Sequence, residues 1–412
     1  MPTQVSGLPA GDARAAWAAS GVVALTGRPD GPPLVPPGRG ALIARSLAER
    51  FAAHTGVRVD GARLLSERAA FLGLGRRGEV SAGGACRLLP TADGWAAVSC
   101  ARPDDPALLG ALACAEVGDD PWPAVSAWLR EHTGAELAER AELLGIAAGP
   151  VAPRTAPSPP EPLEPRPLER ALVVDFSALW AGPLCAHLLG MAGARIVKVE
   201  IPSRPDGARR GDPGFYRLLH AGHRSVVLDP GTREGRRALA ALVDRADIVI
   251  EASRPRALRR FGLDAEAAVA AGTTWVSITA YGRAQDRIGF GDDVAAATGL
   301  VCRDPAGTPL FCGDAIADPL AGLTAAALAS TAPPGGGGVL WDVAMSDVVA
   351  STLESGASPS PSAVRDGGGW TVETGDGPVP VALPARREPT GEAAAMGADT
   401  ALVLRELGIP VP

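Results

Sequence analysis

The chain has 412 residues and a formal net charge of −7, and it is rich in alanine, glycine and proline but poor in aromatic residues. This length allows two domains with sizeable cores, and the negative charge argues against nonspecific nucleic-acid binding. Six scattered cysteines without a Cys-x-x-Cys pair, and five histidines without ligand spacing, predict reduced thiols in a cytoplasmic protein and no metal site.

A proline-rich segment separates two halves of the chain. Residues 150–167 hold eight prolines in eighteen positions. Because proline fixes φ and lacks a backbone donor, this composition predicts an extended, semi-rigid linker. The predicted organisation is therefore residues 1–149, the linker 150–167, and residues 168–412. The amino terminus has no basic and apolar stretch typical of a signal peptide, and no apolar run reaches membrane-spanning length.

The first half contains a segment that parallels a later one. Residues 15–53 resemble residues 293–329, with Gly21 aligned to Gly299. The earlier copy has no acid where Asp318 lies in the later one. The pattern favours a degenerate repeat, with chance similarity in an Ala/Gly/Pro-rich sequence as the alternative.

The second half alternates apolar runs with helical stretches. Apolar strands of this kind belong to a parallel sheet that is covered on both faces. Ligands of such sheets bind at the carboxyl ends of the strands, here at the loop of residues 177–183 (SALWAGP). The fold class is therefore α/β. The predicted strands lie near 171–176, 195–200, 225–229, 247–251 and 274–279, and the predicted helices near 184–192 and 233–245.

Six segments between residues 171 and 349 resemble, in order, the family III coenzyme A (CoA) transferases, the group that includes formyl-CoA transferase and carnitine CoA-transferase. They are VVDFSALWAGPLCAHLLGMAGARIVKVE, GHRSVVLDP, EGRRALAALVDRADIVIEASRPRALRRFGL, WVSITAYG, GDAIADPLAGLTAAALAS and VLWDVAMSDVV. The resemblance implies a Rossmann-like parallel sheet domain with a second, smaller α/β domain. It also implies acyl-CoA and a carboxylic acid as substrates, CoA without a metal, and a homodimer.

The order of the domains departs from this family. There the small domain follows the Rossmann-like domain, whereas here residues 93–105 and 128–151, before the linker, resemble it. After Met345 the small domain is missing, and residues 400–409 resemble the family's carboxy-terminal tail. We therefore expect residues 1–149 to pack with the second half and to supply what the small domain supplies.

The resemblance also implies a catalytic residue. In the family, an aspartate attacks the acyl-CoA thioester to give a mixed anhydride and CoA thiolate, which then forms an enzyme-bound thioester. That aspartate lies four residues before a glycine at the start of an apolar helix, as Asp318 lies before Gly322. Asp318 is thus the expected nucleophile. Local sequence alone also allows it to cap a helix that has Pro319 in its first turn, and Asp314 is a competing carboxylate four positions earlier.

Residues that bind CoA are expected in the loop and in a later helix. The loop should place the apolar pair Leu179 and Trp180 beside CoA. The N-terminus of the helix that follows the loop should attract the anionic phosphates of CoA. Two arginines lie four apart on one helix face, and the family has a basic residue at the second of these positions; a solvated helix face is the alternative. The candidates are Leu179, Trp180, Ala181, Gly182, Pro183, Arg256 and Arg260.

Departures from the family pattern keep other functions open. Residues 251–256 read EASRPR where the family has Glu-Asn-Phe-Arg-Pro-Gly, so an Asn-Phe pair expected near CoA is absent. This loss and the missing small domain favour, as an alternative, a degenerate non-catalytic CoA-binding or partner-dependent subunit. A 2-methylacyl-CoA racemase-like enzyme is disfavoured, because residues 291–293 read GDD where that branch has Gly-His-Asp, which removes an acid/base imidazole.

Overall fold

The computed structural model describes residues 11–155, 157, 160, 162–253, 255–354 and 360–412. The first half forms a helical segment followed by a small antiparallel sheet with its own helices. In chain order its elements are α1 (Ala13–Ser20), α2 (Gly40–Thr55), α3 (Gly61–Leu64), α4 (Glu67–Leu72), β1 (Cys86–Pro90), β2 (Trp95–Ser99), α5 (Asp105–Ala113), α6 (Trp122–Glu131), α7 (Gly134–Leu144) and β3 (Ala148–Pro150).

From the predicted linker onward, the chain contains the five strands and two helices that the sequence predicts, together with further short elements. These elements are β4 (Glu164–Pro165), β5 (Leu172–Asp175), α8 (Ala181–Met191), β6 (Arg195–Glu200), α9 (Pro213–His220), β7 (Arg224–Val227), α10 (Arg233–Val243), β8 (Ile248–Glu251), α11 (Pro255–Arg259), α12 (Ala265–Ala270) and β9 (Thr274–Thr279). None of the helices in the described ranges is both long enough and apolar enough to cross a membrane.

The remaining elements carry the chain across the sheet once more and end in a hairpin and a short helix. They are α13 (Gly291–Ala297), β10 (Val301–Arg303), β11 (Pro309–Phe311), α14 (Ala317–Ala329), β12 (Thr331–Ala332), β13 (Leu340–Ala344), α15 (Met345–Ser351), β14 (Val364–Asp366), β15 (Gly369–Thr374), β16 (Gly377–Pro380) and α16 (Thr400–Glu406).

A six-stranded sheet is the centre of the fold. Its strand order is β7-β6-β5-β8-β9-β13, and every neighbouring pair is parallel. Numbered by chain order within the sheet, this is 3-2-1-4-5-6, the order of a doubly wound α/β fold. The five predicted strands and the parallel arrangement are therefore confirmed, and β13 is the sixth strand.

Alternate residues of the strands enter two different cores. Val173 of β5 packs with α8 and α14 on one face, whereas Val174 packs with α10 and α16 on the other, as the two-residue period of a strand requires. On the first face α8 and α14 approach very closely. A Cβ atom at Gly322 would lie 2.6 Å from the carbonyl oxygen of Ala181, so this glycine allows the two helices to meet.

The helices α1 to α4 belong to the core of the large sheet. Trp17 and Phe51 lie in the same apolar cluster as Leu184 of α8 and Leu320 of α14. Helices α1 to α4 therefore pack with the second half as expected, and the expectation that residues 1–149 supply what the small domain supplies remains a prediction.

The small sheet β1-β2-β3 has a separate core with helices α5 to α7. Within the predicted linker, β4 pairs antiparallel with β12. Division of the chain at residues 149 and 168 remains a prediction.

The parallel between the two halves extends to local backbone structure. Helix α1 ends at Gly21 with φ of +84°, and α13 is followed by Gly299 with φ of +102°. Left-handed φ is accessible to glycine at little cost, which is why glycine ends helices in this way. Helices α2, α4 and α7 also end at glycines of this kind, so the shared ending does not distinguish a repeat from chance similarity.

Residues 11–85, which carry α1 to α4, are called the first segment. Replacement of Phe51 by alanine tests whether this segment folds together with the large sheet. Phe51 is 1% exposed, and loss of a buried phenylalanine costs about 3–5 kcal/mol. We expect Phe51→Ala to lower the urea midpoint of one transition seen equally by circular dichroism and tryptophan fluorescence. Leu143→Ala, at a position 84% exposed, should change stability by less than about 0.5 kcal/mol. A separate early transition in Phe51→Ala would show that the first segment unfolds independently.

Candidate active site

The backbone of the loop of residues 177–183 donates hydrogen bonds to buried carboxylates at the carboxyl end of the sheet. The backbone N–H of Ser177 donates to the Asp175 carboxylate at 2.8 Å. Leu179 adopts a left-handed φ of +69°, and its N–H donates to Asp206 Oδ1 at 3.0 Å. Asp206 in turn pairs with the buried Lys198 ammonium at 2.9 Å. These contacts fix the backbone that leads into α8.

The loop places the expected apolar pair in two different environments. Leu179 is 42% exposed, whereas Trp180 is 3% exposed and packs edge-on against Phe215 at 5.5 Å. Leu179 is thus accessible to a ligand, whereas the Trp180 side chain is part of the protein interior. Gly182 and Pro183 lie in the buried first turn of α8, where a Cβ at Gly182 would overlap the Ser177 side chain.

Asp318 lies at the meeting point of α8 and α14. Its carboxylate lies close to the backbone N–H of Ala181, the first residue of α8, and this N–H acts to lower the pKa of Asp318. Asp318 is also in the first turn of α14, so the positive ends of two helices face this acid. The residue keeps part of its surface accessible. The structure thus brings the expected nucleophile next to the expected CoA loop.

The capping role allowed by local sequence is not observed. Helix α14 begins at Ala317, its N-cap residue is Ile316, and that cap makes no side-chain hydrogen bond. Asp318 is the second residue of the helix, and its carboxylate faces the neighbouring helix α8 instead of its own backbone.

Two further aspartates and one arginine surround Asp318. Arg68 of α4 binds Asp314 through both ends of its guanidinium, with Nε to Oδ2 at 2.8 Å and Nη2 to Oδ1 at 2.5 Å. Asp292 accepts the backbone N–H of Ala315 at 2.7 Å. Asp292, Asp314 and Asp318 all attract the Arg68 charge. We call these four residues the acid cluster.

Burial governs the ionisation of this cluster. It raises the pKa of Asp318 to about 7; attraction to Arg68 opposes the rise, and repulsion from Asp292 and Asp314 adds to it. Burial, followed by repulsion from Asp314, raises the pKa of Asp292 to about 6. Although burial opposes it, attraction to the three carboxylates raises the pKa of Arg68. Raised carboxyl pKa values of this kind are typical of functional sites.

Sequence reasoning missed two members of the acid cluster. Arg68 has no motif around it, and it reaches Asp314 across 246 positions of the chain. Asp292 was noted only as the residue that stands where the racemase branch has histidine. That substitution is the one signal in the sequence that marks Asp292 as a site residue.

The two arginine candidates lie away from the acid cluster in sequence, at and after α11. The side chain of Arg256 is outside the described residues, and Arg260 is exposed immediately after α11. Nearby, the carboxylate of Glu251 at the end of β8 accepts from Trp275 Nε1 and Arg283 Nη1, each at 2.9 Å. The role of both arginines in CoA binding remains a prediction.

A cavity of about 380 Å³ lies at the opposite, amino end of the sheet rather than beside Asp318. It is bordered by Leu172 and Arg195, which begin β5 and β6, and by the imidazoles of His187 and His223. This cavity is therefore separate from the acid cluster.

Comparison with known proteins shows which family the second half of the chain resembles. The profile of CoA-transferase family III matches residues 168–366, the range that contains the loop, Asp292 and Asp318. This segment, slightly less than half of the chain, is similar to that family. It is 30% identical to succinyl-CoA–D-citramalate CoA-transferase of Chloroflexus aurantiacus over 46% of this chain and 52% of that protein.

Two further relatives show the same partial coverage. The chain is 33% identical to the beta subunit of succinyl-CoA–L-malate CoA-transferase of Chloroflexus aurantiacus over 38% of this chain and 42% of that subunit. A solved CAIB/BAIF family protein from Brucella suis is 28% identical over 52% of this chain and 65% of that chain, with a TM-score of 0.44. The chain spans about half the length of the curated relatives it matches.

The raised pKa of Asp318 predicts a pH-dependent effect of Asp318→Asn on stability. The folded value of about 7 exceeds the ordinary value of 3.8, so ionisation costs the folded state stability as pH rises from about 4 to about 7. Asparagine avoids this cost. We expect the free energy of unfolding of Asp318→Asn to rise relative to that of the wild type by a few kcal/mol between about pH 4 and pH 7, since one pKa unit corresponds to about 1.4 kcal/mol.

Urea unfolding at pH values between 4.5 and 8 measures this difference. Asp12→Asn is the control, because the N–H of Gly375 lowers the pKa of Asp12 and its contribution is lost only as pH falls below the ordinary value. The Asp12→Asn difference should therefore stay constant over this range. A constant difference for Asp318→Asn as well would contradict the raised pKa.

Proposed function

We propose that the protein is a CoA transferase that moves CoA from an acyl-CoA donor to a carboxylic acid, with Asp318 as the nucleophile. The observation that carries this proposal is the contact of the Asp318 carboxylate with the Ala181 N–H, within the segment that matches the family. This contact places a partly accessible acid at the loop where an α/β sheet binds its ligand.

The transfer proceeds by exchange of acyl groups on Asp318. An ionised carboxylate oxygen attacks the thioester carbon, the C–S bond breaks, and CoA leaves as a thiolate from the mixed anhydride. The thiolate then attacks the Asp318 carbonyl, which releases the donor acid and leaves an aspartyl-CoA thioester. The acceptor carboxylate repeats these two steps in reverse order and leaves as its CoA ester. Each step is an attack on an activated carbonyl, so one difficult exchange is divided into easier ones.

The helix termini at Asp318 suit this chemistry. The N–H of Ala181 and the positive ends of α8 and α14 favour negative charge at the carboxylate and on the oxyanions that form beside it. The exposed Leu179 side chain offers an apolar surface to CoA, and Arg260, with Arg256, is proposed to meet its phosphates. A homodimer is the assembly that the family resemblance implies.

The substrates of the relatives suggest where to begin an assay. Two of them are named for succinyl-CoA as donor, with D-citramalate or L-malate as acceptor. We therefore propose succinyl-CoA with small dicarboxylic and hydroxydicarboxylic acids as the first substrate panel.

Replacement of Asp318 by asparagine tests the nucleophile. The amide is nearly isosteric with the carboxylate but forms no anhydride, so Asp318→Asn should keep the fold and lose CoA transfer by at least about 10³-fold. Hydroxylamine added during turnover should convert Asp318 of the wild type to a hydroxamate, detected by peptide mass spectrometry, and leave the variant unmodified. Asp304→Asn, at a carboxylate that pairs with Arg28, is the control and should be trapped at Asp318 like the wild type. Full transfer by Asp318→Asn would disprove the mechanism.

Gly291 tests whether the position of the Asp318 carboxylate matters. A Cβ at this glycine would overlap Asp318 Oδ2 and the carbonyl oxygen of Ala315. We expect Gly291→Ala to displace the carboxylate and to lower kcat/KM on the order of 100-fold, the effect of a shift of about 1 Å. Gly94→Ala, where a Cβ would meet nothing within 4 Å, should retain wild-type kinetics. Wild-type kinetics in Gly291→Ala would show that this geometry is not required.

A partner-dependent subunit is the second candidate function. It is favoured by the similarity to a protein named as a beta subunit, together with the absent Asn-Phe pair at residues 252–253. On this proposal the purified chain binds CoA, measured by calorimetry, but is inactive with the whole panel and is not trapped by hydroxylamine.

A further inference from the structure

Arg68 connects the first segment of the chain to the acid at the start of α14. Its guanidinium lies flat along the Asp314 carboxylate in a two-point contact, and Asp314 is fully buried. A two-point arginine–carboxylate contact fixes the orientation of the guanidinium as well as its distance.

A second contact holds Arg68 against the CoA loop. The guanidinium carbon lies 5.5 Å from the centre of the Trp180 ring, within the range of a cation–π interaction. Trp180 is itself fixed by Phe215 and immediately precedes Ala181, whose N–H meets Asp318. Arg68 therefore touches the elements on both sides of the proposed nucleophile.

Space for this arginine is provided by Gly83. A Cβ at that position would lie 3.3 Å from Arg68 Nη2 and 3.7 Å from Asp314 Oδ1. The backbone at Gly83 thus lies against the ion pair, in which the Asp314 carboxylate is fully buried and the Arg68 side chain is 27% exposed.

The charge balance shows why this arginine matters beyond its ion pair. Arg68 contacts Asp314, and the charges of Asp292 and Asp318 also act on it, so one cation interacts electrostatically with three carboxylates. At Asp318 the attraction of Arg68 exceeds the repulsion of either neighbouring aspartate.

Resting on the function proposed above, we propose that Arg68 is a positioning residue of the transferase site, which keeps Asp318 ionised for attack on the thioester carbon. The first segment of the chain thereby completes a site that the family segment alone does not contain, because Arg68 lies outside residues 168–366. Arg68 forms no bond with the substrate in this proposal. It acts through the charge of Asp318.

The test is the pH profile of kcat/KM for succinyl-CoA and an acceptor from the panel. In the wild type the profile should rise through an apparent pKa of about 7, the value expected for Asp318. Without the cation, Arg68→Met should move this midpoint upward by at least about one unit and lower kcat/KM at pH 6 by about 10-fold or more. The loss should diminish as the pH is raised. Arg68→Lys keeps the charge and should restore much of the wild-type midpoint.

Arg28→Met is the matched control. Arg28 also belongs to the first segment and pairs across the chain with Asp304 at 2.9 Å, but it is not among the charged groups that act on Asp318. The pH midpoint of the kcat/KM profile of Arg28→Met should equal that of the wild type. An equal loss at every pH in Arg68→Met, or no recovery in Arg68→Lys, would show a structural role only and overturn the proposal.

A second measurement separates this proposal from the proposed function. The stability difference between Arg68→Met and the double variant Arg68→Met/Asp318→Asn is followed by urea unfolding from pH 4.5 to 9. The effect of Asp318→Asn on the free energy of unfolding should stop growing, and so reach its plateau, at a higher pH in the Arg68→Met protein than in the protein that keeps Arg68. The reason is that the pKa of Asp318 is higher without Arg68. This readout needs no turnover. An unchanged plateau would overturn the role of Arg68 even in an active enzyme, and an inactive wild type with a shifted plateau would reject the transferase alone.

Discussion

The close approach of α8 and α14 is the constraint on which the site depends. Gly322 lets the backbone of α14 come against Ala181, so the carboxylate at the start of one helix meets the first N–H of the other. Gly291 leaves the remaining space for that carboxylate. Any larger residue at these glycines would separate the helices or turn the acid away. Burial and nearby acids oppose ionisation of Asp318, while the helix termini and Arg68 favour it, so the two sets of effects nearly balance at neutral pH.

Local patterns in the sequence predicted the sheet, because its strands depend on short stretches of chain, whereas the proposed nucleophile was implied by the ordered resemblance to the family. The apolar run of β5 and the proline-started turn of α14 are each contained within a few residues, and the order of such runs specifies a doubly wound sheet. The same reasoning left Asp318 open as a helix cap, since composition alone does not state where a helix begins. The structure decides this by starting α14 at Ala317.

The rest of the site was beyond sequence reasoning because it is formed by distant segments. Arg68 sits in a short helix without a motif, and only the folded chain shows that it faces Asp314. The sequence predicted that Leu179 and Trp180 act together as an apolar pair. In the structure the backbone at Leu179 is left-handed, and Leu179 faces solvent whereas Trp180 faces the interior. Such an outcome depends on the Asp206 contact with the loop, which lies 27 residues away.

The long reach of the contacts between the halves has a consequence for synthesis on the ribosome. Arg68 is made 246 residues before Asp314, and Glu67 is made 320 residues before its partner Arg387. At about 5–20 residues per second, the first of these waits lasts roughly 12–50 s. During that time Trp17 and Phe51 have no sheet to cover them, since their core is completed by α8 and α14. The apolar helices of the first segment therefore stay uncovered until α14 has been made, and the site assembles only after that point.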